Sequence, residues 1–212
     1  MNRALFILFS FTVLLAETRT IAISYFDNTS GSEQYNPLSK GLADMLITDL
    51  SNVKSIQIVE REKLESLLKE IDLGSGKFID KNTAQRLGKG LGAGYILTGS
   101  FLIMDEMMRI DARLVDVGTG EITMAEEITG KKDSFFELEK ELVLKMISAF
   151  DLDISRSEQR KVNKVQTKSF DAFSSYSFGL DAFDKDKLEE SQKFFENAVD
   201  IDDSYDIAWD KL

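Results

Sequence analysis

The segment from residue 94 to residue 130 constrains the fold most, because apolar and charged residues alternate along it. One side of the extended chain carries Ile110, Ala112 and Leu114, and the other carries Arg109, Asp111 and Arg113. This period of two is typical of a strand with one buried and one solvated face. The links Asp105-Glu106 and Gly118-Thr119-Gly120 are short, and the second has glycines for positive φ. The segment therefore predicts three consecutive antiparallel strands.

An α/β half precedes this meander. Residues 20–27 are rich in β-branched and aromatic side chains, and residues 56–60 resemble them, so both segments predict strands. Apolar residues at helical spacing predict three helices: Leu38, Leu42, Met45, Leu46 and Leu50 after Pro37; Leu64, Leu67, Leu68 and Ile71, ending at Gly74; and Ala84, Leu87 and Leu91 after a cap at Asp80.

A long amphipathic helix closes this domain. Ser134 and Glu137 have the spacing of a capping box, and Leu138, Leu142, Met146 and Phe150 follow at helical spacing. The predicted order for residues 20–150 is β-α-β-α-α-β-β-β-α. This order indicates an α/β (α+β) domain with a mixed sheet.

Several sequence blocks in this order carry a family resemblance. They are Asp27-Asn28, GLADMLITDLS at 41–51, IVERE at 58–62, RLGKGLGAGYILTGS at 86–100 and RIDARLVDVGTGEI at 109–122. Together they resemble the periplasmic domain of the curli assembly/transport (CsgG) family across residues 20–150. The resemblance implies an exported, non-catalytic protein that acts through assembly and protein contacts. Pore-forming members have a lipid-attachment cysteine and long membrane-crossing hairpins, which are missing here, so the resemblance implies the fold rather than pore formation.

The first residues predict export. Asn2 and Arg3 precede a run of apolar residues to Ala16, which is too short for a membrane span of roughly 20 residues and suits a signal peptide. We expect cleavage after Ala16, with an uncleaved anchor as the alternative because Leu14 is large for its position before the cut. The expected location is the periplasm, with association at the outer membrane as an option. No lipid anchor is expected, because the chain has no cysteine.

The amino-acid composition excludes several kinds of active site and binding site. The chain has no cysteine and no histidine, which excludes disulfides, thiolate sites and a Ser-His-Asp triad. The formal net charge is −11, so most of the surface repels nucleic acid. We expect no catalytic residue, no cofactor, no metal and no membrane span after removal of the signal.

The C-terminal part predicts a second unit. Residues 151–168 have mixed charge and lack a strong apolar stripe, which indicates a linker or an exposed helical extension. Residues 169–212 carry a net charge of −8 and resemble a tetratricopeptide repeat. That resemblance rests on Phe178, Gly179, Ala182, Phe183, Leu188, Phe195, Ala198 and Tyr205. Trp209 and Leu212 stand 34 residues after Ser175 and Phe178, which matches that repeat and indicates an incomplete second unit.

The repeat resemblance implies a partner-binding face. If the first helix behaves as in that family, Phe173, Tyr176, Leu180 and Phe183 line a concave groove for an extended peptide. The alternative is that the four side chains pack against the next helix or the α/β domain, as aromatic stripes at helical spacing usually do.

Other candidate motifs favour structural roles. The stretch from Gly88 to Gly94 resembles a phosphate cradle, but it follows a helix and precedes a strand, so it indicates a tight turn. Glu60, Glu62 and Glu65 flank a helix start, where acids favour the helix dipole. Asp200, Asp202 and Asp203 lack the spacing of a calcium loop.

Two classes of function remain open. The leading prediction is an envelope scaffold or assembly component for protein secretion or envelope complexes. Its α/β domain self-associates or docks onto an envelope complex, and its tail recruits a protein partner. The first alternative is a ligand-binding or hydrolytic enzyme of the periplasm. The second is a regulator of cell-wall synthesis, because the fold also resembles that of outer-membrane activators of cell-wall synthases.

Overall fold

The computed structural model describes residues 18–70 and 81–212. The expected signal peptide, Ile71, the helix end at Gly74 and the cap at Asp80 lie outside the described residues. The strands are β1 Arg19–Ile23, β2 Asp27–Asn28, β3 Ile56–Ile58, β4 Tyr95–Met104, β5 Met107–Asp116 and β6 Ile122–Lys131. The α-helices are α1 Leu38–Leu50, α2 Arg61–Glu70, α3 Lys81–Leu91, α4 Phe135–Ala149, α5 Arg156–Val162, α6 Phe170–Asp184, α7 Leu188–Ile201 and α8 Asp206–Trp209.

The sheet is mixed, in the order β3-β1-β4-β5-β6, with β2 pairing β4 beyond the end of β1. Strand β1 pairs in parallel with β3 and β4, and β2 pairs in parallel with β4, whereas β4, β5 and β6 form the predicted antiparallel meander. Ile110, Ala112 and Leu114 of β5 are buried, and Arg109 and Arg113 are exposed. The α/β class and the three-strand meander are therefore confirmed.

The turns of the meander differ in detail from the expectation. Asp105 has a φ of 54° in the two-residue turn between β4 and β5. In the next turn Gly120 has a φ of 72°, while Gly118 has no positive φ. The Asp116 carboxylate accepts a hydrogen bond from the Thr119 N–H at 2.7 Å, which holds this turn with one glycine in the left-handed region.

The turn between α3 and β4 confirms the structural interpretation of the glycine-rich stretch. Gly92 has a φ of 66° just after the helix ends. A side chain at Gly88 would lie 2.2 Å from Val117, and one at Gly90 would lie 2.9 Å from Leu67. These glycines permit close packing at the point where a helix turns into a strand.

The capping box predicted at Ser134 is wrong. Ser134 has φ −97° and ψ 22°, a backbone conformation outside the extended region of an N-cap, and its side chain makes no cap hydrogen bond. A capping box occurs instead at α5, where Ser155 accepts from the Glu158 N–H and the Glu158 carboxylate accepts from the Ser155 N–H. The residues predicted to face inward, Leu138, Leu142, Met146 and Phe150, are all buried, and Phe150 lies just after α4, which ends at Ala149.

Helix α1 lies at the centre of the packing. It contacts β1, β2 and β3 of the sheet as well as α4, α5 and α6. Most of its residues are buried, including the polar residues Ser39, Lys40 and Asp49. The main core contains apolar residues of the sheet, α1 and α4 together with Val162 of α5 and Phe173 of α6.

Helices α6, α7 and α8 form a smaller second core. Its buried residues are Ala172, Tyr176, Leu180, Phe195, Ala198, Val199, Tyr205 and Ala208. A side chain at Gly179 would lie 2.5 Å from the Phe195 ring, so α6 and α7 approach as closely as the sequence predicts. The paired helices are confirmed, and their assignment as a tetratricopeptide-like repeat stays a prediction.

Candidate protein-contact site

The structure separates the four predicted partner-binding residues into two groups. Phe173, Tyr176 and Leu180 are buried, whereas Phe183 is 49% exposed. Burial of the first three agrees with the alternative that they pack against the next helix or the α/β domain. Partner binding by this face of α6 stays a prediction, and Phe183 is the one of the four that solvent reaches.

Helix α1 covers this face of α6 at its N-terminal half. A side chain at Gly41 would lie 1.9 Å from the Ser177 Oγ and 2.8 Å from the Phe173 ring, so glycine is what lets the two helices meet. The Phe173 ring stacks on Phe135 of α4 at a centroid distance of 4.5 Å. Phe173 therefore belongs to the α/β core and is closed to a peptide in this arrangement.

Tyr176 contacts both helix α1 and the second core. Its hydroxyl donates to the Asp44 carboxylate at 2.6 Å, and its ring lies 5.3 Å from Tyr205 and 5.4 Å from Phe195. Burial raises the pKa of Tyr176 well above its ordinary value, and the Asp44 carboxylate adds to this effect. Tyr176 is therefore a neutral hydrogen-bond donor that links the tail to α1.

A buried ionic junction joins the far end of α6 to α1 and α2. We define it as Lys40, Arg61, Asp181 and Asp184. The Arg61 guanidinium donates to both Asp184 oxygens at 2.6 and 2.8 Å, and the Lys40 ammonium lies 2.9 Å from Asp184 and 3.2 Å from Asp181. The side chains of Lys40, Arg61 and Asp184 are almost fully buried. Both hydrogen bonds come from one guanidinium nitrogen, Nη1, and this buried, charge-assisted contact fixes how α6 lies against α2.

Tyr25 lies beside the ionic junction. Its hydroxyl donates to Glu65 at 2.7 Å and accepts from Arg61 at 3.4 Å, and Lys40 lies 5.5 Å from the centre of its ring. Burial raises the pKa of the Tyr25 hydroxyl. Glu65, expected on a solvated face with Glu60 and Glu62, is therefore engaged by a buried tyrosine.

Sequence reasoning missed the ionic junction, although one signal for it exists. Arg61 precedes Leu64 and Leu68 at spacings of three and seven, which places it on the apolar face of α2. Lys40 lies between Leu38 and Leu42 in a helix that is buried almost all round. A charge at an inward helical position needs a buried partner, but the spacing cannot name a partner 123 residues away.

A second buried ionic group joins α1 to α4. The Lys140 ammonium contacts the Asp49 carboxylate and lies 3.5 Å from Glu139. Neither oxygen of Glu139 has a hydrogen-bond partner among the described residues. Complete burial, reinforced by the Asp49 charge, raises the pKa of Glu139 well above its ordinary value. This group lies inside the packing and has a structural role.

One exposed part of the tail is the turn between α6 and α7. We call Phe183, Lys185, Asp186, Lys187 and Leu188 the hairpin tip. Leu188 is 63% exposed, and Asp186 has a φ of 58° that allows the short reversal. A shallow cavity of about 430 Å³ adjoins it and is lined by Leu188, Lys187, Glu190 and Lys193, among others. Two large apolar side chains beside mixed charges are suited to contact another protein.

Metal binding and membrane crossing are two further properties that the described residues bear on. Within residues 18–70 and 81–212, no group of three or more acidic residues is placed to hold a metal ion. Over the same ranges, no helix has both the length and the apolar character that a membrane crossing requires. Asp200 and Asp203 are exposed, and Asp202 accepts hydrogen bonds from Thr167 and Ser204.

The chain was compared with curated proteins and solved structures. It is 23% identical over 186 residues to "Putative adenylate cyclase 3" of Rhizobium meliloti (strain 1021), a match that covers 86% of this chain. The chain spans 30% of the length of that relative.

Similar solved structures include the LpoB C-terminal domain from Salmonella enterica, with a TM-score of 0.45, 16% identity, and coverage of 54% of this chain and 84% of that one. Lipoprotein GNA1162 from Neisseria meningitidis gives a TM-score of 0.46 and 15% identity, with coverage of 64% and 99%. The PelC dodecamer from Paraburkholderia phytofirmans gives a TM-score of 0.41 and 12% identity, with coverage of 62% and 87%.

The family comparison covers the first part of the α/β domain. Residues 12–107 match the family model described as Curli production assembly/transport component CsgG. Among described residues, this segment contains β1 to β4 and α1 to α3. The match therefore supports a CsgG-like relationship for residues 12–107 of this chain.

Proposed function

We propose that this chain is an exported, non-catalytic protein of the cell envelope that acts as a CsgG-like scaffold. The α/β part, residues 20–150, takes part in assembly, and the helical tail, residues 169–212, holds a protein partner in a fixed orientation. Residues 151–168 connect the two parts, and residues 1–16 direct export to the periplasm. The family match over residues 12–107 supports the envelope role.

One observation carries the scaffold role. The tail is fixed to α1 and α2 through the ionic junction and Tyr176, while Phe183 and Leu188 at its hairpin tip are exposed. A flexible tether needs no buried ion pairs, since their desolvation is costly and is recovered only in a defined geometry. This combination suits an element that presents a contact surface at a set position.

Photocrosslinking at the hairpin tip tests this proposal. A photoreactive residue placed at Phe183, in cells that make the protein, is expected to crosslink to a protein of the envelope fraction. The matched control is the same residue at Leu144 of α4, which is also exposed and apolar. The Phe183→Ala/Leu188→Ala variant is expected to lose a partner captured by wild type while keeping its melting temperature.

Two outcomes would count against this proposal. Crosslinking of equal yield at Leu144 would show that Phe183 has no special role. Recovery of the protein only from the cytoplasmic fraction, as a monomer without an envelope partner, would contradict the proposal as a whole.

The name of the curated relative makes nucleotide turnover the rival function. That name belongs to a protein of which this chain spans 30%, so a cyclase activity need not lie in the matched part. We expect the purified chain to show no thermal shift with nucleotides, glycans or divalent ions, and no conversion of ATP. A dose-dependent rise in melting temperature would reveal a ligand site and favour the rival.

A further inference from the structure

Strand β6 forms one edge of the sheet. It pairs with β5 from Ile122 to Lys131, and within the described residues no further strand pairs with its other side. Its ten residues make it longer than the usual strand of about five or six residues. An edge of this length presents a row of unpaired backbone groups, which natural proteins usually cover or protect with charge.

The hydrogen-bond register shows which backbone groups face this free edge. The Lys132 N–H donates to the Glu106 carbonyl at 2.8 Å, so these two residues form a hydrogen-bonded pair. Such pairs alternate along an antiparallel ladder, and residues of the pairs between them point their N–H and C=O groups away from the partner strand. In β6 these outward residues are Ala125, Glu127, Thr129 and Lys131. Across the described residues, no hydrogen bond reaches their outward backbone groups.

The side chains of β6 leave the free edge accessible. All four outward residues are exposed. On the other face, Glu126 is paired with Lys145 at 2.7 Å, so its charge does not protect the edge as an unpaired inward charge would. The irregularity in the register lies between Leu114 and Val115, opposite the start of β6, and residues 124–131 pair without interruption. A regular stretch of edge is therefore open to another strand.

Helix α4 limits what can occupy the edge. It packs over the buried face of β6, where Lys145 pairs with Glu126 and a side chain at Gly130 would lie 2.7 Å from Leu138. A second copy that paired its β6 with this one across a two-fold axis would bring its own α4 to the same side of the sheet. The two strands would lie about 5 Å apart, whereas packed helices are about 8–10 Å apart. The two α4 helices would therefore collide, and the edge suits a single extended strand without a covering helix.

We propose that the free edge of β6 binds an extended segment of a partner protein as an added antiparallel strand. Hydrogen bonds to the outward backbone groups supply the affinity, and antiparallel pairing is slightly more stable per residue than parallel pairing. Charge selects the segment, with a basic residue opposite Glu127 and an acidic residue opposite Lys131. The alternate residues are apolar, because they lie on the same face as buried Ile128. This inference rests on the proposed function, because it names a surface through which the α/β part takes part in assembly.

Two synthetic peptides test the backbone pairing on the wild-type protein. The probe is Glu-Val-Thr-Val-Lys-Val-Thr, which in antiparallel register places its lysine opposite Glu127 and its glutamate opposite Lys131. Methyl groups on the valine amides leave free only the amides that face β6, and they keep the peptide from stacking into larger sheets. The control has the same sequence with the methyl groups on the other amides. We expect saturable one-to-one binding of the probe in NMR titration and at least tenfold weaker binding of the control.

Amide exchange locates the contact on β6. In the free protein, the outward N–H groups are expected to exchange faster than those of Glu126, Ile128 and Gly130, which are bonded to β5. The probe peptide is expected to slow exchange of the outward groups and to leave the exchange of the other three unchanged.

Thr129→Pro tests the same contact from the side of the protein. Proline removes one outward N–H and leaves the bonds to β5 intact, because proline is tolerated on the free side of an edge strand. We expect this variant to bind the probe at least tenfold more weakly. Thr129→Val, which keeps the N–H, is expected to bind like wild type. The melting temperature checks that both variants are folded.

Several results would overturn the inference. They are equal binding of the two peptides, slow exchange of the outward N–H groups in the free protein, and a dimer of the protein that Thr129→Pro abolishes. The Phe183→Ala/Leu188→Ala variant is expected to bind the probe like wild type, because the hairpin tip is not part of β6. Failure at the β6 edge therefore leaves the crosslinking result at Phe183 unaffected, and the two proposals can fail separately.

Discussion

Individual buried residues carry the contacts that hold the two parts of this protein together. Arg61, Lys40 and Asp184 are charged groups removed from water, and each finds an opposite charge within 3 Å. Glu139 is also fully buried, but both of its oxygens lack a hydrogen bond among the residues described. Removing water from a carboxylate without supplying donors favours its neutral form. Burial therefore raises the pKa of the Glu139 carboxyl well above its ordinary value.

Glu139→Gln tests the protonation of this carboxyl. The raised pKa means that folded Glu139 keeps its proton at a pH where the unfolded chain, with the ordinary value near 4.5, has lost it. Wild-type stability therefore falls as pH rises above 4.5, until the folded pKa is passed. We expect the stability of Glu139→Gln relative to wild type to increase from pH 4 to pH 8 in urea unfolding. A constant difference across this range would contradict a neutral Glu139.

Gly41→Ala tests the close approach of α1 and α6. Alanine normally favours a helix by about 1 kcal/mol over glycine. Here its methyl group would collide with Ser177 and Phe173, so we expect a net loss of about 1–3 kcal/mol in the free energy of unfolding. Gly94→Ala is the control, because its nearest atom would be 3.6 Å away. Equal stability of Gly41→Ala and wild type in urea would show that the helices can separate without cost.

At the scale of elements, α1 and α5 show what sequence patterns do and do not specify. Helix α1 begins at Leu38, directly after Pro37 as predicted, yet its polar residues are buried because other elements surround it. Helix α5 lies in the segment expected to be a linker or helical extension, and a capping box fixes its start. The capping-box pattern at Ser134 is not used, since the backbone there turns before α4.

Ser155→Ala tests the cap of α5. Loss of an N-cap side chain costs about 1 kcal/mol, so we expect earlier fraying of α5 and faster amide exchange in residues 156–159. Ser134→Ala has the same chemistry at the same kind of position but removes no cap hydrogen bond, and we expect it to be neutral. Equal effects of the two substitutions would contradict the observed capping.

Arg61→Met tests the ionic junction. It leaves Asp184 buried with Lys40 as its remaining cation, and we expect a loss of about 3 kcal/mol in stability. Amide exchange of α6 is expected to rise more than that of β4 and β5. Lys63→Met, in the exposed pair with Glu60, the residue just before α2, is expected to change stability by less than about 0.5 kcal/mol. Similar losses of stability in both variants would show that burial of the Arg61–Asp184 pair does not increase its contribution to stability.

At the scale of the whole molecule, the helical tail and the α/β part share one packing. Phe173 and Val162 lie in the main core, and α1 contacts both the sheet and α6. The tail also has its own core around Tyr176, Phe195 and Tyr205. The sequence predicts a boundary at residues 151–168, and unfolding experiments can decide whether that boundary separates independent units.

We expect one cooperative unfolding transition. Trp209 fluorescence reports on the tail, and far-UV circular dichroism reports on all helices and strands, so the two midpoints in urea are expected to coincide. Gly41→Ala serves as a control. Because this substitution lowers stability, the urea midpoints measured by fluorescence and by circular dichroism are expected to fall together. A tryptophan transition that precedes the loss of circular dichroism would show that the tail unfolds alone.

Patterns along the chain specify most of the local structure. The alternating residues of β5, the helical repeats of α1 and α4, and the small residues between α6 and α7 predicted elements that the structure confirms, because these patterns depend on neighbours in the chain. Which face of α6 is covered depends instead on packing between distant parts of the chain. Gly41 and Arg61 contact residues more than 100 positions away, and contacts over such distances produce no periodic pattern of residues in the sequence. Phe183 is exposed and Phe173 is buried although both belong to one predicted stripe, since α1 and α4 cover one end of α6 and leave the other free.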